Sequence, residues 1–317
     1  MTELQRAMAG MAGEEWPKPL PVMLAPAPDE ALSSWVERHA AFCGLGPAAM
    51  RRHCAPDAPS LRALDRALTP EQEERLSHLF RLGSSSLRQM THEELGREVI
   101  GLLVARDVDH RCERCTRSLA EAGFSKAIPR AWFHTWRITC PRCGERVSPA
   151  RSATGAAGDA SPNLFPDLWA EALQGERLLS AIIHHQTPAP VLPTPAMRLL
   201  RLLMIWTGSE QVPAKEEWQR QGWTLDAVVP GFDAALERHG IAIPRTTLIN
   251  LPLPVRTALL AGLALATRDP EATIKAMWAT TSGMHRAHFR YVLSDLPRST
   301  GPFSSSTHRQ HRCRSLQ

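Results

Sequence analysis

The sequence has no apolar run approaching the roughly 20 residues of a membrane-spanning helix. Its longest, Ala258 to Ala266, is far shorter. The opening MTELQRAMAGMAGEEW lacks a basic start followed by an apolar core, so no secretory signal is read there and a cytoplasmic location is expected. Neither a G-x-x-x-x-G-K-[ST] phosphate loop nor a G-x-S-x-G nucleophile turn occurs. His92-Glu93-Glu94-Leu95-Gly96 begins like the H-E-x-x-H helix of zinc proteases, but glycine stands where the second imidazole must sit. His184 and His185 are adjacent, so they project from different faces of a helix, which is poor ligand geometry. These absences point away from catalysis.

Cysteine is scarce too, at seven residues in 317. Three of them, Cys43, Cys54 and Cys313, are scattered and read as packing or tail thiols. The other four form two C-x-x-C pairs, Cys112/Cys115 and Cys140/Cys143. In a reducing compartment such clustering signals metal or catalysis rather than disulfides. Two intervening residues let both sulfurs of a pair turn onto one ion, and two pairs complete the tetrahedral four-thiolate shell of a structural Zn²⁺. One structural zinc ion in a ribbon is therefore expected. Trp132, His134, Trp136 and Ile138 alternate with Phe133, Thr135, Arg137 and Thr139, which predicts a strand entering Cys140. Cys143-Gly144 is the expected turn, and Glu145 to Ser148 the returning strand. A redox dithiol is the rival reading, without a βαβ pattern around it. His110 or His134 replacing one cysteine as ligand is the other.

Charge is unevenly placed. The formal net charge is +5, but ten basic residues face five acids between Arg106 and Arg151. The segment from Arg298 onward adds four arginines and no acid. Such local excess suits a polyanion, although a charge run is commonly a solvated face.

Away from the cysteines the chain reads as mainly α. Asp29 is the expected N-cap of a helix carrying Leu32, Trp35, Val36, Ala40 and Cys43 on one face, closed by Gly44 and Gly46. A short helix follows over Pro47 to His53. Thr69-Pro70-Glu71-Gln72 and Thr91-His92-Glu93-Glu94 read as capping boxes, with SSSLRQM a short helix between them. This spacing suits a helix-turn-helix-like arrangement or any small helical bundle. Further helices are expected over Leu168 to His184, Met197 to Trp206, Val255 to Ala266 and Pro270 to Thr280, and around His288, Tyr291 and Val292. The expected organisation is a flexible leader (1–17), an N-terminal helical segment (18–105), a small β zinc ribbon inserted mid-chain (106–150), a small-residue linker (151–166), a C-terminal helical domain (167–297) and a disordered basic tail (298–317).

The order of these parts resembles the TniQ family of transposition target-selection proteins. It is carried by PLPVMLAPAPDEALSSWVER, LRQMTHEELG, the first C-x-x-C, the tryptophan-bearing stretch and C-P-x-C, most specifically over residues 19–148. LINLPLPVRTALLAGLALATRDPEATIKAMW extends it weakly. The resemblance implies a non-catalytic targeting adaptor that contacts double-stranded DNA and recruits an AAA+ ATPase and a transposase, with a second copy of itself as a further candidate partner. It makes Cys112, Cys115, Cys140 and Cys143 the metal ligands, and Glu30, Leu32, Ser34, Trp35 and Arg38 the opening signature. Many members carry histidine where this chain has Cys143, several add a second knuckle, and the long C-terminal DNA-binding region of larger members is missing. No spacing marks a transposase carboxylate triad. Arg111, Arg114, Arg117, Arg137, Arg142 and Arg146 are the candidate phosphate contacts. A zinc-stabilised protein–protein module without direct DNA binding is the alternative.

Overall fold

The computed structural model describes residues 17–108, 110–150, 164–184, 193–205, 222–241, 243, 248–277, 287 and 290–292. The expected leader, the core of the small-residue linker, Trp206, His185, His288 and the basic tail with Cys313 lie outside these residues. The fold is mainly helical, with one two-stranded sheet mid-chain. No described helix is long and apolar enough to cross a membrane.

Helices α1 (Leu32–Phe42), α2 (Pro47–Cys54), α3 (Pro70–Phe80) and α4 (Ser84–Arg88) close around one apolar core. Trp35 sits at its centre, fully buried, against Phe80 and His39. Its indole N–H donates to the Leu24 carbonyl at 2.9 Å. His39 receives the Leu24 N–H at Nε2 and bonds the Trp35 carbonyl through Nδ1, each at 2.9 Å. The proline-rich segment before α1 is thus tied down at Leu24 by two residues of the helix it precedes. The Thr69–Gln72 capping box forms in both directions and starts α3 with Pro70 at its first turn.

Two capping expectations are corrected. Asp29 does not cap α1: Ala31 does, without a side-chain bond. Asp29 takes a left-handed turn (φ 58°) and gives its carboxylate to Arg130 at 3.0 Å. Thr91 does not form a capping box either. Its hydroxyl donates to the Arg88 carbonyl and accepts the Glu93 N–H, two residues on, opening only a 3-10 turn at Glu93–Leu95.

The signature residues form a cage at the start of α1. The Glu30 carboxylate is buried and accepts from Ala27 N–H (2.8 Å), Ser34 Oγ (2.9 Å) and two Arg38 nitrogens (2.8 and 2.7 Å). Ser34 Oγ also accepts the Ile128 N–H at 2.9 Å, joining α1 to the segment that leads into the second cysteine pair. Paired on every side, this carboxylate holds the entry to α1 in place.

Beyond α5 (Arg97–Leu103), strand β1 (His110–Arg111) runs into α6 (Glu113–Glu121) and pairs antiparallel with β2 (Ser148–Pro149). The alternating strand expected over Trp132 to Thr139 is absent. Arg130–Phe133 is a 3-10 turn, and residues 131–136 are all buried. Their side chains enter one core from different sides: Phe133 packs near His92, while Trp136 and Ile138 join the apolar cluster of the C-terminal helices. Burial on both sides removes the need for period-2 polarity. Thr139 and Arg146 do pair back, and Val147 N–H reaches the Ile138 carbonyl at 3.1 Å, so the return limb forms as a short hairpin.

Helices α7 (Trp169–Ile183), α8 (Pro193–Leu203), α9 (Leu225–Val228), α10 (Phe232–Arg238), α11 (Leu253–Arg268) and α12 (Pro270–Met277) complete the described fold. The apolar run noted in the sequence becomes α11, buried along nearly its whole length. It lies so close to α7 that a Cβ on Gly175 would stand 1.9 Å from the Leu260 carbonyl oxygen. Trp136, Ile138 and the ligand cysteines share one apolar cluster with α7, α8 and α11.

Candidate metal centre

Cys112 is the N-cap residue of α6 and Cys115 lies in its first turn, so both thiols face the same side of the helix start. Cys140 and Cys143 flank a tight turn closed by the Gly144 N–H on the Cys140 carbonyl (2.8 Å), with Gly144 at φ 75°. Cys140 N–H in turn bonds the Glu145 carbonyl at 2.7 Å. The β1–β2 pair clamps the base of this unit two residues before Cys112.

The four sulfurs converge. Cys112 and Cys143 Sγ stand 3.4 Å apart, Cys115 and Cys140 Sγ 3.5 Å, and all four ligand atoms lie within 4.8 Å of one another. A tetrahedral ion with metal–sulfur bonds of about 2.3 Å needs sulfur–sulfur edges of about 3.8 Å, so the donor set fits zinc. The short contacts run between the two motifs, not within either C-x-x-C, which is a four-ligand pattern and not that of a redox dithiol. Among the described residues this is the only grouping of His, Cys, Asp and Glu side chains able to hold a metal ion.

Chemistry of the thiols agrees. Burial pushes Cys112 up to about 11 and raises Cys115 as well. At Cys143 burial also works upward, but the Glu145 N–H and the neighbouring thiols outweigh it and hold that group below the usual thiol range. Four crowded sulfurs ionise together only around a cation. With four thiolates the shell is closed, leaving no position for a catalytic water.

Neither histidine replaces a cysteine. His134 stacks on Trp136, with centroids 4.3 Å apart, and its Nε2 meets Nδ1 of His92 at 3.3 Å. His110 lies beside Arg256 of α11, 3.4 Å from Nη1. The His92–His134 pair is not legible in the sequence, because its members are 42 residues apart. Glu176 is a further site residue that lies outside the expected set. It accepts from Thr139 Oγ1 (2.7 Å) and from the Ile138 and Thr139 N–H groups (both 3.3 Å), joining α7 to the metal unit. A signal was available, since Glu176 interrupts the apolar stripe Ala172, Leu179, Ile183 on one helix face.

The six candidate arginines divide. Arg111, Arg114, Arg117, Arg142 and Arg146 are exposed around the centre. Arg114 pairs with Glu145 at 3.3 Å, Arg111 lies over Trp132, and Arg146 covers Trp169 at 4.9 Å. Arg137 differs: its guanidinium turns inward, 3.6 Å from Glu176, and burial lowers its pKa. It is held in the interior.

A mainly helical protein built around a small four-thiolate ribbon is the class that this fold and site define. Residues 21–148 match the TniQ family model, which covers the N-terminal helices and the four-cysteine unit. The matched residues begin just before the Glu30–Arg38 cage and end in the hairpin after Cys143. No curated protein and no solved structure matches the chain.

Proposed function

We propose that this chain is a non-catalytic targeting adaptor for DNA transposition, holding one structural Zn²⁺ on Cys112, Cys115, Cys140 and Cys143. The ribbon's exposed arginines contact duplex phosphates, and the helical segments recruit an AAA+ ATPase and a transposase in the cytoplasm. The observation that carries this reading is the coincidence of the TniQ match with the residues that build the closed four-thiolate centre. A closed centre supports a scaffold and offers no metal-bound nucleophile. Phosphate contacts of this kind give affinity and orientation without sequence choice.

The zinc-stabilised protein–protein module is the second reading. It is favoured by the arginines already engaged with Glu145, Trp132 and Trp169, and by the exposed Val22, Phe42 and Leu45. Binding of zinc-loaded protein to random duplex DNA across a salt series separates the two. Binding that falls steeply with salt supports the adaptor as a direct DNA binder, and its absence at low salt moves DNA contact to a partner.

A further inference from the structure

A cleft of about 350 Å³ opens between the 3-10 turn Leu61–Asp65 and the stretch Val104–Arg106. Its walls are mostly apolar, from Ala63, Val104, Ala105 and Phe133. Three arginines, Arg62, Arg66 and Arg106, stand around it. Arg62 is paired with Asp65 and Glu37, each at 3.8 Å, which leaves Arg66 and Arg106 as the cations that face an incoming group. The one carboxylate among its lining residues, Asp65, is already taken: it accepts from Ser33 N–H (2.7 Å) and Ser33 Oγ (2.6 Å) and lies 3.8 Å from Arg62. Arg62 lies over the Phe133 ring at 5.0 Å, which presents its cation beside an apolar wall.

His92 lines the same cleft and is fully buried. Its Nδ1 is engaged by His134, while Nε2 has no hydrogen-bond partner among the described residues. A buried polar edge bordering a cavity is a ready contact for a group that enters it. The cleft therefore combines positive charge, apolar walls and one buried hydrogen-bonding atom.

We infer that this cleft is a docking site for an acidic peptide segment of a partner protein. An apolar side chain would lie between Val104 and Phe133, with an adjacent Asp or Glu at Arg66 and Arg106. Charge complementarity selects the acidic residue, and the apolar walls select its neighbour. A DNA duplex is too wide to enter a cleft of this volume, so its phosphates reach only the arginines and leave the apolar walls and His92 unused. The inference rests on the adaptor reading only for who supplies the segment.

The test selects random heptapeptides on the full-length, zinc-loaded protein and measures the winners by fluorescence polarisation. The expected winners place Asp or Glu beside Leu or Phe. They should weaken at least tenfold on Arg66→Glu/Arg106→Glu and on Ala63→Trp, which fills the cleft. Duplex DNA binding by the same charge-reversed protein, measured in parallel, should change less than twofold. Failure to select any peptide, winners without carboxylates, or equal binding to the variants overturns the inference. So does a single-stranded oligonucleotide that binds more tightly than the peptides and is lost on the same variants. Loss of ribbon-dependent duplex binding with peptide binding intact would count against the DNA-contacting adaptor and leave the cleft standing.

Discussion

Glu176→Ala should loosen the metal unit from the C-terminal helices while leaving all four thiols in place. The carboxylate sits on α7, fully covered, and serves three donors of the Ile138–Thr139 limb as well as the Arg137 guanidinium. Removing it strips the acceptor from one short hydrogen bond (2.7 Å) and two long ones (3.3 Å). It also leaves a mostly buried cation without its counter-charge. Breaking a buried pair from one side costs about 3–5 kcal/mol. Arg137 stands 3.6 Å away, a loose pair, so the lower part of that range applies, and an unsatisfied donor adds about 1 kcal/mol. A loss of about 3–4 kcal/mol is expected in urea unfolding of zinc-loaded protein. Pairing the change with Arg137→Leu should recover part of it, since the stranded charge then disappears. A loss below about 0.5 kcal/mol, or no recovery in the double variant, would refute the argument.

Chelation should unfold residues 106–150 while most helical signal remains, because the four thiolates supply folding free energy of order 10 kcal/mol to their own module; native-like hydrogen-exchange protection there after chelation would sink the idea. Gly175→Ala should destabilise by about 2 kcal/mol or more, since the new Cβ meets backbone at 1.9 Å, whereas Gly101→Ala, with nothing within 4 Å, should gain about 0.5–1 kcal/mol; equal signs in thermal melts would contradict the close α7–α11 approach. Stability should also fall with acid. Burial lowers His92 to about 3, helped by Arg130 and Arg66, and holds His134 well below its usual value, helped by His92, Arg137, Arg130 and His110. Below about pH 6.5 the unfolded chain therefore takes up these protons first, at up to about 1.4 kcal/mol per pH unit for each group. Asp65, raised by burial to about 6, opposes this as pH falls from about 6 to about 4, since its folded form protonates first. His92→Gln should flatten the slope relative to the unsubstituted protein, whose zinc ligands it shares, and identical slopes would reject the linkage.

Local signals were legible where one short segment decides the outcome. The Thr69 capping box needs only Thr69 and Gln72, and the cysteine knuckles need only their two-residue spacing. What escaped depended on distant partners. Asp29 looked like a cap because the Arg130 that claims it lies 101 residues away. The stretch from Trp132 reads as a half-exposed strand because alternation in a sequence does not reveal that α7 and α11 cover the other side. The signature residues marked a family, but their physical task, a cage around Glu30 that also holds Ile128, becomes visible only once the loop returns to α1.

Arginine shows this limit most sharply, and it fixes the salt dependence that DNA binding should have. Arg38, Arg62, Arg130 and Arg137 are spent on Glu30, Asp65, Asp29 and Glu176, so local net charge overstates the cations a polyanion can reach. With Arg137 turned inward, five of the six candidate arginines remain on the ribbon surface. Each neutralised phosphate contributes about −0.9 to the slope of log K against log salt on duplex DNA, so the ribbon can supply at most about −4.5. Arg114 must leave Glu145 to take part, and that competition makes the slope shallower still. Glu145→Gln should free Arg114 and steepen the slope by up to about 0.9. A slope well beyond about −4.5 would mean that further phosphate contacts come from elsewhere in the chain, and an unchanged slope in the variant would mean that Arg114 does not touch DNA.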